Sequence, residues 1–273
     1  MALRSSLSLS TLSPHRYSEH YHRVLAPDLL YLTYDHSVPA ASLLPPSERK
    51  KDQLQWDPSN PYTKNRPAKT PKGNSARLTP ATRIIQPHNV VRLQEIVLNT
   101  FVKEASSSKS QLLAAIAGFQ AITGEPIPGH AQDASGSAKK LGIEVTRTGK
   151  GSASFKVRSG QVCGIKVSLK GEAMWSFLET LVDFVLPRLK DWNGVVLPPP
   201  SVNRSSKSST GGVVAFGLPS AAMGLFPSIE VNLEQYPRLH GFHVQCITNA
   251  RGSRAQDQAR ALLSGFRIPF VAA

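Results

Sequence analysis

The chain has 273 residues, with 32 Lys and Arg against 18 Asp and Glu, a formal net charge of +14. Two cysteines exclude a disulfide scaffold and a four-cysteine zinc site, and no apolar run reaches the roughly 18 residues of a membrane span. A pI near 10.0 points to a polyanionic partner, nucleic acid before an acidic membrane surface. The charge is spread: residues 1–86 hold 12 basic and 6 acidic residues, and residues 87–273 hold 20 and 12. A basic tail therefore does not account for it, and the folded part is basic too.

Residues 1–18 contain six serines, Arg4 and Arg16 and no acid. This is the composition of an organelle import sequence, which we place at residues 1–30. Residues 31–87 form a Pro-rich basic extension. Prolines from Pro39 to Pro87 forbid a long helix, and no acid occurs from Pro58 to Gln94. Lys64, Arg66, Lys69, Lys72, Arg77 and Arg83 make this stretch a candidate for RNA contact along an extended backbone. Trp56 and Tyr62 offer flat faces to bases or to a protein neighbour.

The domain is expected over residues 88–273. Val91–Leu98 reads as a buried strand, and a helix capped by Ser108 or Ser110 runs through Ile122 to a stop at Thr123-Gly124. Residues 129–141 read as an insertion or loop. Ile143–Thr146, Ser154–Val157 and Val162–Leu169 are strand candidates. Ala173–Trp192 is the clearest helix, with Met174, Phe177, Leu178, Leu181, Val182, Val185 and Leu189 on one face and Pro187 near its end. Val213–Phe216, Ile229–Leu233 and Phe242–Thr248 follow as strands, and Ser253–Leu263 as a last helix. Short, irregular interleaving of these elements predicts an α+β two-layer sandwich rather than a doubly wound sheet.

The chemistry concentrates between Thr146 and Lys170. Arg147, Lys150, Lys156, Arg158, Lys166 and Lys170 occur there without an acid, an arrangement that repels itself unless an anion neutralises it. Phe155 stacks or packs. His240 and His243 fall on opposite faces of a strand, which does not suit a metal or catalytic pair. Cys163 and Cys246 read as small core residues. There is no nucleotide-binding loop, catalytic triad or carboxylate pair, so no catalytic residue, cofactor or metal is assigned. An RNA-modifying enzyme and a free RNA-binding translation factor are the alternatives. The first would need a methyl-donor or nucleotide loop, and the second would part from its ribonucleoprotein in high salt.

Several segments fall in a recognisable order: Leu93–Asn99 (LQEIVLN), Ile122–Pro126 (ITGEP), Ser154–Gly160 (SFKVRSG), Gly164–Met174 (GIKVSLKGEAM), Leu186–Gly194 (LPRLKDWNG), Ala259–Leu263 (ARALL) and Gly265–Phe270 (GFRIPF). Together, over about residues 88–270, the chain resembles the L-five family of large-subunit ribosomal proteins, the family that binds 5S rRNA in bacteria. The resemblance implies an antiparallel sheet with helices on one side and RNA on the other, in the central protuberance. It implies contact with large-subunit rRNA, with 5S rRNA if this ribosome has it, with P-site tRNA through the loop at 146–158, with the small-subunit head across a bridge, and with neighbouring proteins. Asn99, Lys166 and Ser168 are then expected to face RNA, with Arg147, Lys150, Lys156 and Arg158 on the loop and Lys170 beyond it. Three departures stand out: Glu125 replaces the family's usual Gln, residues 129–141 look inserted, and the usual Gly-Arg-Gly-Asn loop is replaced around Thr210–Val213. With the import-like start and the basic extension, these suggest a mitochondrial member, acting in the matrix as a non-enzymatic structural protein.

Overall fold

The computed structural model describes residues 15–34, 61–63, 85–106, 109–127, 142–151, 154, 157–197, 210–252 and 254–271. Their centre is a five-stranded sheet of β1 (Leu93–Phe101), β2 (Gly142–Arg147), β3 (Val162–Leu169), β5 (Val213–Leu218) and β6 (Phe242–Thr248). The order is β2-β3-β1-β6-β5 and every neighbouring pair is antiparallel. A separate parallel pair joins β4 (Val195–Val196) to β7 (Phe270–Val271).

Alternation in the strands sends one set of residues to a covered face. Ile143, Val167, Leu98, Val244 and Phe216 lie side by side across all five strands, and every one is buried. The next row holds Leu169, Ile96, Cys246 and Val214, each fully buried. A slip of one residue would put both rows in water, so this pattern fixes the register.

The covering layer is helical. It contains α2 (Lys109–Thr123), α3 (172–188), the short α4 (Ser220–Gly224) and α5 (Pro227–Glu230), and α6 (Ala255–Gly265). Phe119 of α2 meets Phe242 of β6 edge-on at 5.7 Å, and Phe226 stacks on Phe177 of α3 at 5.8 Å. Leu181, expected in the core, is fully buried.

A further helix, α1 (16–33), covers the second half of the segment read as import sequence and runs three residues into the extension, where the sequence reading assigned no helix. Tyr17, Tyr21, Leu25 and Leu29 recur every fourth residue and are all buried. Tyr17 stacks on Phe266 at 5.6 Å and Tyr21 on Trp175 at 6.2 Å. The Tyr17 hydroxyl donates to Asp183 Oδ1 at 2.8 Å, and that of Tyr21 to the Val91 carbonyl at 2.9 Å. Arg16 pairs with Glu179 at 2.7 Å and also with Asp183. Gly265 leaves room for Leu25, since a Cβ there would stand 2.7 Å from Leu25 Cδ2. Residues 15–33 are thus part of the domain's core.

Both α1 and α3 carry one widened turn, and the cause is the same. In α1 the Ala26 N–H reaches the Tyr21 carbonyl, five residues back, and in α3 the Leu186 N–H reaches Leu181. Each turn is followed immediately by a proline, Pro27 or Pro187. A proline ring collides with the carbonyl four residues before it, and a π turn moves that carbonyl aside. Pro187 therefore sits in the final turn, and α3 ends at Arg188 rather than at the expected Trp192, with Leu189 extended.

One expected strand is absent, and another falls partly outside the described residues. Over Ile229–Leu233 the chain instead ends α5 at Glu230, turns at Val231-Asn232 and enters a 3-10 turn at Leu233–Gln235, because Pro227 presets the helical φ at the first position and only Ile229 needs burial. In Ser154–Val157, Ser154 lies in a turn and Val157 forms an isolated bridge, while Phe155 and Lys156 lie outside the described residues. Trp56, the whole of residues 64–84 and residues 129–141 also lie outside them. That covers Lys64, Arg66, Lys69, Lys72, Arg77 and Arg83. Pro61–Thr63 form one 3-10 turn, with Tyr62 exposed.

Candidate nucleic-acid interface

The residues alternating with the core face the other side of the sheet. One row runs Glu144, Lys166, Asn99, His243 and Gly217 across all five strands. The next runs Gly142, Ser168, Val97, Gln245 and Ala215. Asn99 and His243 are exposed, whereas Ser168 is only 7% exposed and presents little surface. Phe101, at the end of β1, is 70% exposed on this side. The sheet thus brings Asn99 and Lys166 side by side on the open face. It sets His243 and Gln245 beside them, which sequence reasoning does not place there. The signal was present in the alternation of Phe242–Thr248, whose buried members are Phe242, Val244, Cys246 and Thr248.

Close packing at one end of the row depends on Gly164. A Cβ there would overlap the Thr100 carbonyl oxygen of the adjacent strand. That approach lets β1 and β3 stay paired up to the Phe101–Gly164 position, beside the β2–β3 hairpin.

The hairpin loop is held by its own backbone. The Thr148 N–H donates to the Gln161 carbonyl and the Gly160 N–H to the Thr148 carbonyl, both at 2.9 Å. The Thr148 hydroxyl donates to the Arg158 carbonyl at 2.6 Å, and the Ser159 hydroxyl to Gly149 at 3.1 Å. These bonds fix the base from which Arg147, Lys150 and Arg158 project, all of them exposed. The Arg147 guanidinium touches the Gly160 carbonyl at 3.5 Å.

The five described basic residues of this stretch divide into two groups, which corrects the expectation that all lack a counter-ion, while Lys156 lies outside the described residues. Lys166 lies 3.9 Å from Glu144 and Lys170 lies 3.3 Å from Glu95. Adjacent strands supply those carboxylates, so a linear reading of residues 146–170 cannot find them. Among the described residues, Arg147, Lys150 and Arg158 have no carboxylate partner. Half-exposed ion pairs contribute about 0–1 kcal/mol, so Lys166 and Lys170 could turn to a phosphate at small cost.

Burial sorts the remaining candidates. His240, on the covered side, has its pKa lowered by burial, with Arg238 adding to the effect. Burial pushes the Cys246 thiol up to about 12, as suits a core residue, while Cys163 is only half-buried, against Thr146. Partial burial also raises the Glu125 pKa. The replaced loop at Thr210–Val213 is tied to β6, where the Thr248 hydroxyl donates to the Gly212 carbonyl at 2.7 Å. Among the described residues no group of three or more His, Cys, Asp or Glu could hold a metal, and no helix is long and apolar enough to cross a membrane.

These features define a class: a basic α+β domain whose sheet is covered by helices on one side and carries a polar, cation-edged surface on the other. Residues 162–270 match the model for the C-terminus of the ribosomal L5 family. The chain is 37% identical over 258 residues to the large ribosomal subunit protein uL5m of Schizosaccharomyces pombe, covering 94% of this chain and 79% of that one. It is 32% identical over 257 residues to the uL5m of Neurospora crassa, covering 93% of this chain and 64% of that protein's length. The uL5m of Reclinomonas americana is 33% identical over 185 residues, 68% of this chain and 86% of that one. The chain belongs to the uL5 family of large-ribosomal-subunit proteins, on its mitochondrial branch. It is a structural, non-enzymatic ribosomal protein of the mitochondrial matrix.

Proposed function

We propose that this protein binds rRNA in the central protuberance through the open face of its sheet, and that the β2–β3 loop reaches toward P-site tRNA. The observation that carries the reading is the contrast in counter-ions: Arg147, Lys150 and Arg158 lack a carboxylate partner among the described residues, whereas Lys166 and Lys170 each have one. A rigid loop base with unneutralised cations suits phosphates. Such contacts fix position rather than read sequence. On the open face, the Asn99 amide can donate to and accept from bases or ribose, with Lys166 beside it. Where 5S rRNA is present it is the natural occupant of this face, and elsewhere large-subunit rRNA or a neighbouring protein takes its place. A separate surface of the domain meets the small-subunit head.

The extension at 31–87 is read as an RNA-tracking arm using Lys64, Arg66, Lys69, Lys72, Arg77 and Arg83. Matches spanning 93–94% of the chain in the two fungal relatives include most of it. Because α1 is part of the core from residue 15, a removable import signal fits only upstream of His15.

The test is made in mitochondrial ribosomes carrying Lys150→Ala and Lys156→Ala. Subunit assembly stays normal and P-site tRNA dissociates faster. Unchanged tRNA retention would refute the loop's role.

A further inference from the structure

The geometry points to a second phosphate-binding site, a groove at the end of the sheet opposite the β2–β3 loop, taking the phosphodiester backbone of RNA. It lies between the start of β1 and the turn from β6 into α6, with a cavity of about 290 Å³. Its walls carry Arg92, Arg251, His88, Gln94 and Gln258, and no carboxylate lines it. Among the described residues, neither Arg92 nor Arg251 has a carboxylate partner, and both are exposed.

The groove is a built feature. Asn249 continues the β1–β6 ladder beyond its last pair. Its Oδ1 accepts from the Arg92 N–H at 2.8 Å, its Nδ2 donates to the Val90 carbonyl at 3.0 Å, and its own N–H donates to the Arg92 carbonyl at 3.2 Å. The Asn89 side chain accepts from the Gln86 N–H at 2.8 Å and closes the neighbouring turn. These bonds hold the backbone on both sides of Arg92 and just before Arg251, so the two guanidinium groups project from fixed points. Gln258, in the first turn of the eleven-residue α6, adds an amide donor near the positive end of that helix. Asp257 shares that turn but does not line the groove.

A polymer fits this arrangement better than a small anion. β1 has nine residues, so about 30 Å of strand separate the groove from the loop end of the sheet. The floor between them mixes Asn99, His243 and Gln245 with Val97, Ile247 and Val213, and its lysines at 166 and 170 are already balanced by Glu144 and Glu95. Cationic ends with a neutral middle suit a chain of phosphates anchored twice. Arginine forks at the groove suit phosphate oxygens bidentately.

This inference rests on the proposed RNA-binding reading, and the test separates the two. The full chain is titrated with a fluorescent 20-nucleotide oligouridylate over a range of salt. Three proteins are compared: wild type, Arg92→Gln with Arg251→Gln, and Lys150→Gln with Arg158→Gln. If each pair contacts two phosphates, each double variant flattens the salt slope by about 1.4 units and weakens binding at 0.1 M salt on the order of tenfold. Arg251→Lys alone, which keeps the charge, leaves the slope unchanged. A groove variant with the wild-type slope beside a flattened loop variant would overturn the groove and spare the reading. Wild-type slopes in both variants would overturn the groove and the reading together.

Discussion

The same five strands present opposite chemistry on their two faces. Along β1, Ile96 and Leu98 enter a layer of Leu, Val and Phe from four other strands and the helices. Their neighbours Glu95 and Asn99 instead meet Lys170, Lys166 and His243. Apolar burial on the covered face holds the fold, so a change there acts on stability. On the open face little is buried and ion pairs are weak, so a change should act on binding and leave stability nearly alone.

The largest effect is expected on the covered side. Leu181→Ala removes a fully buried side chain and lowers stability by about 2–5 kcal/mol, measured by urea unfolding. A neutral result would mean that the helical layer does not pack as described. Gly164→Ala tests the seam between the faces. Its new methyl meets the Thr100 carbonyl oxygen, a backbone atom, and costs about 1–3 kcal/mol with loss of order at the loop end of β1 and β3. On the open side, Lys166→Ala changes stability by no more than about 0.5 kcal/mol while RNA affinity falls. If it destabilised the protein as Gly164→Ala does, the faces would not be separable.

An effect confined to high pH concerns α1. Burial, then the hydrogen bond to Asp183, pushes the Tyr17 hydroxyl up to about 12, above its ordinary value near 10. The folded state holds this proton more tightly than the unfolded one. Its contribution is therefore complete below pH 10 and is lost as pH rises from about 10 to about 12. Urea midpoints of wild type should fall more steeply across that window than those of Tyr17→Phe. Parallel curves would mean that the Tyr17 hydroxyl is not held as described.

Where side chains alternate or recur on one face, the sequence was readable. Val162–Leu169, Phe242–Thr248 and the apolar stripe around Leu181 appear in the structure as expected, because their periods are set by the backbone itself. α1 was hidden because its stripe begins with two tyrosines among three histidines and is interrupted by Pro27, which a π turn accommodates. Ile229–Leu233 misled because a short apolar run has no period of its own, and Pro227 decided for a helix. On the open face, the shared placing of Asn99 and Lys166 followed from the motifs that carry the resemblance, but the ion pairs with Glu144 and Glu95 and the placing of His243 depend on which strands become neighbours. Local spacing carries no such information. The same is true of Arg92 and Arg251, 159 residues apart in the chain and united by one groove.

Whether the uncompensated loop cations meet RNA decides between a functional open face and a merely polar one. The direct measurement is the salt dependence of RNA affinity for the full chain with Lys150→Ala and Arg158→Ala, compared with Lys166→Ala and Lys170→Ala. Removing the two unpaired loop charges should flatten the slope by about 1.4 units. Removing the two lysines already paired with carboxylates should flatten it by less. Equal slopes in both variants and wild type would contradict the claim.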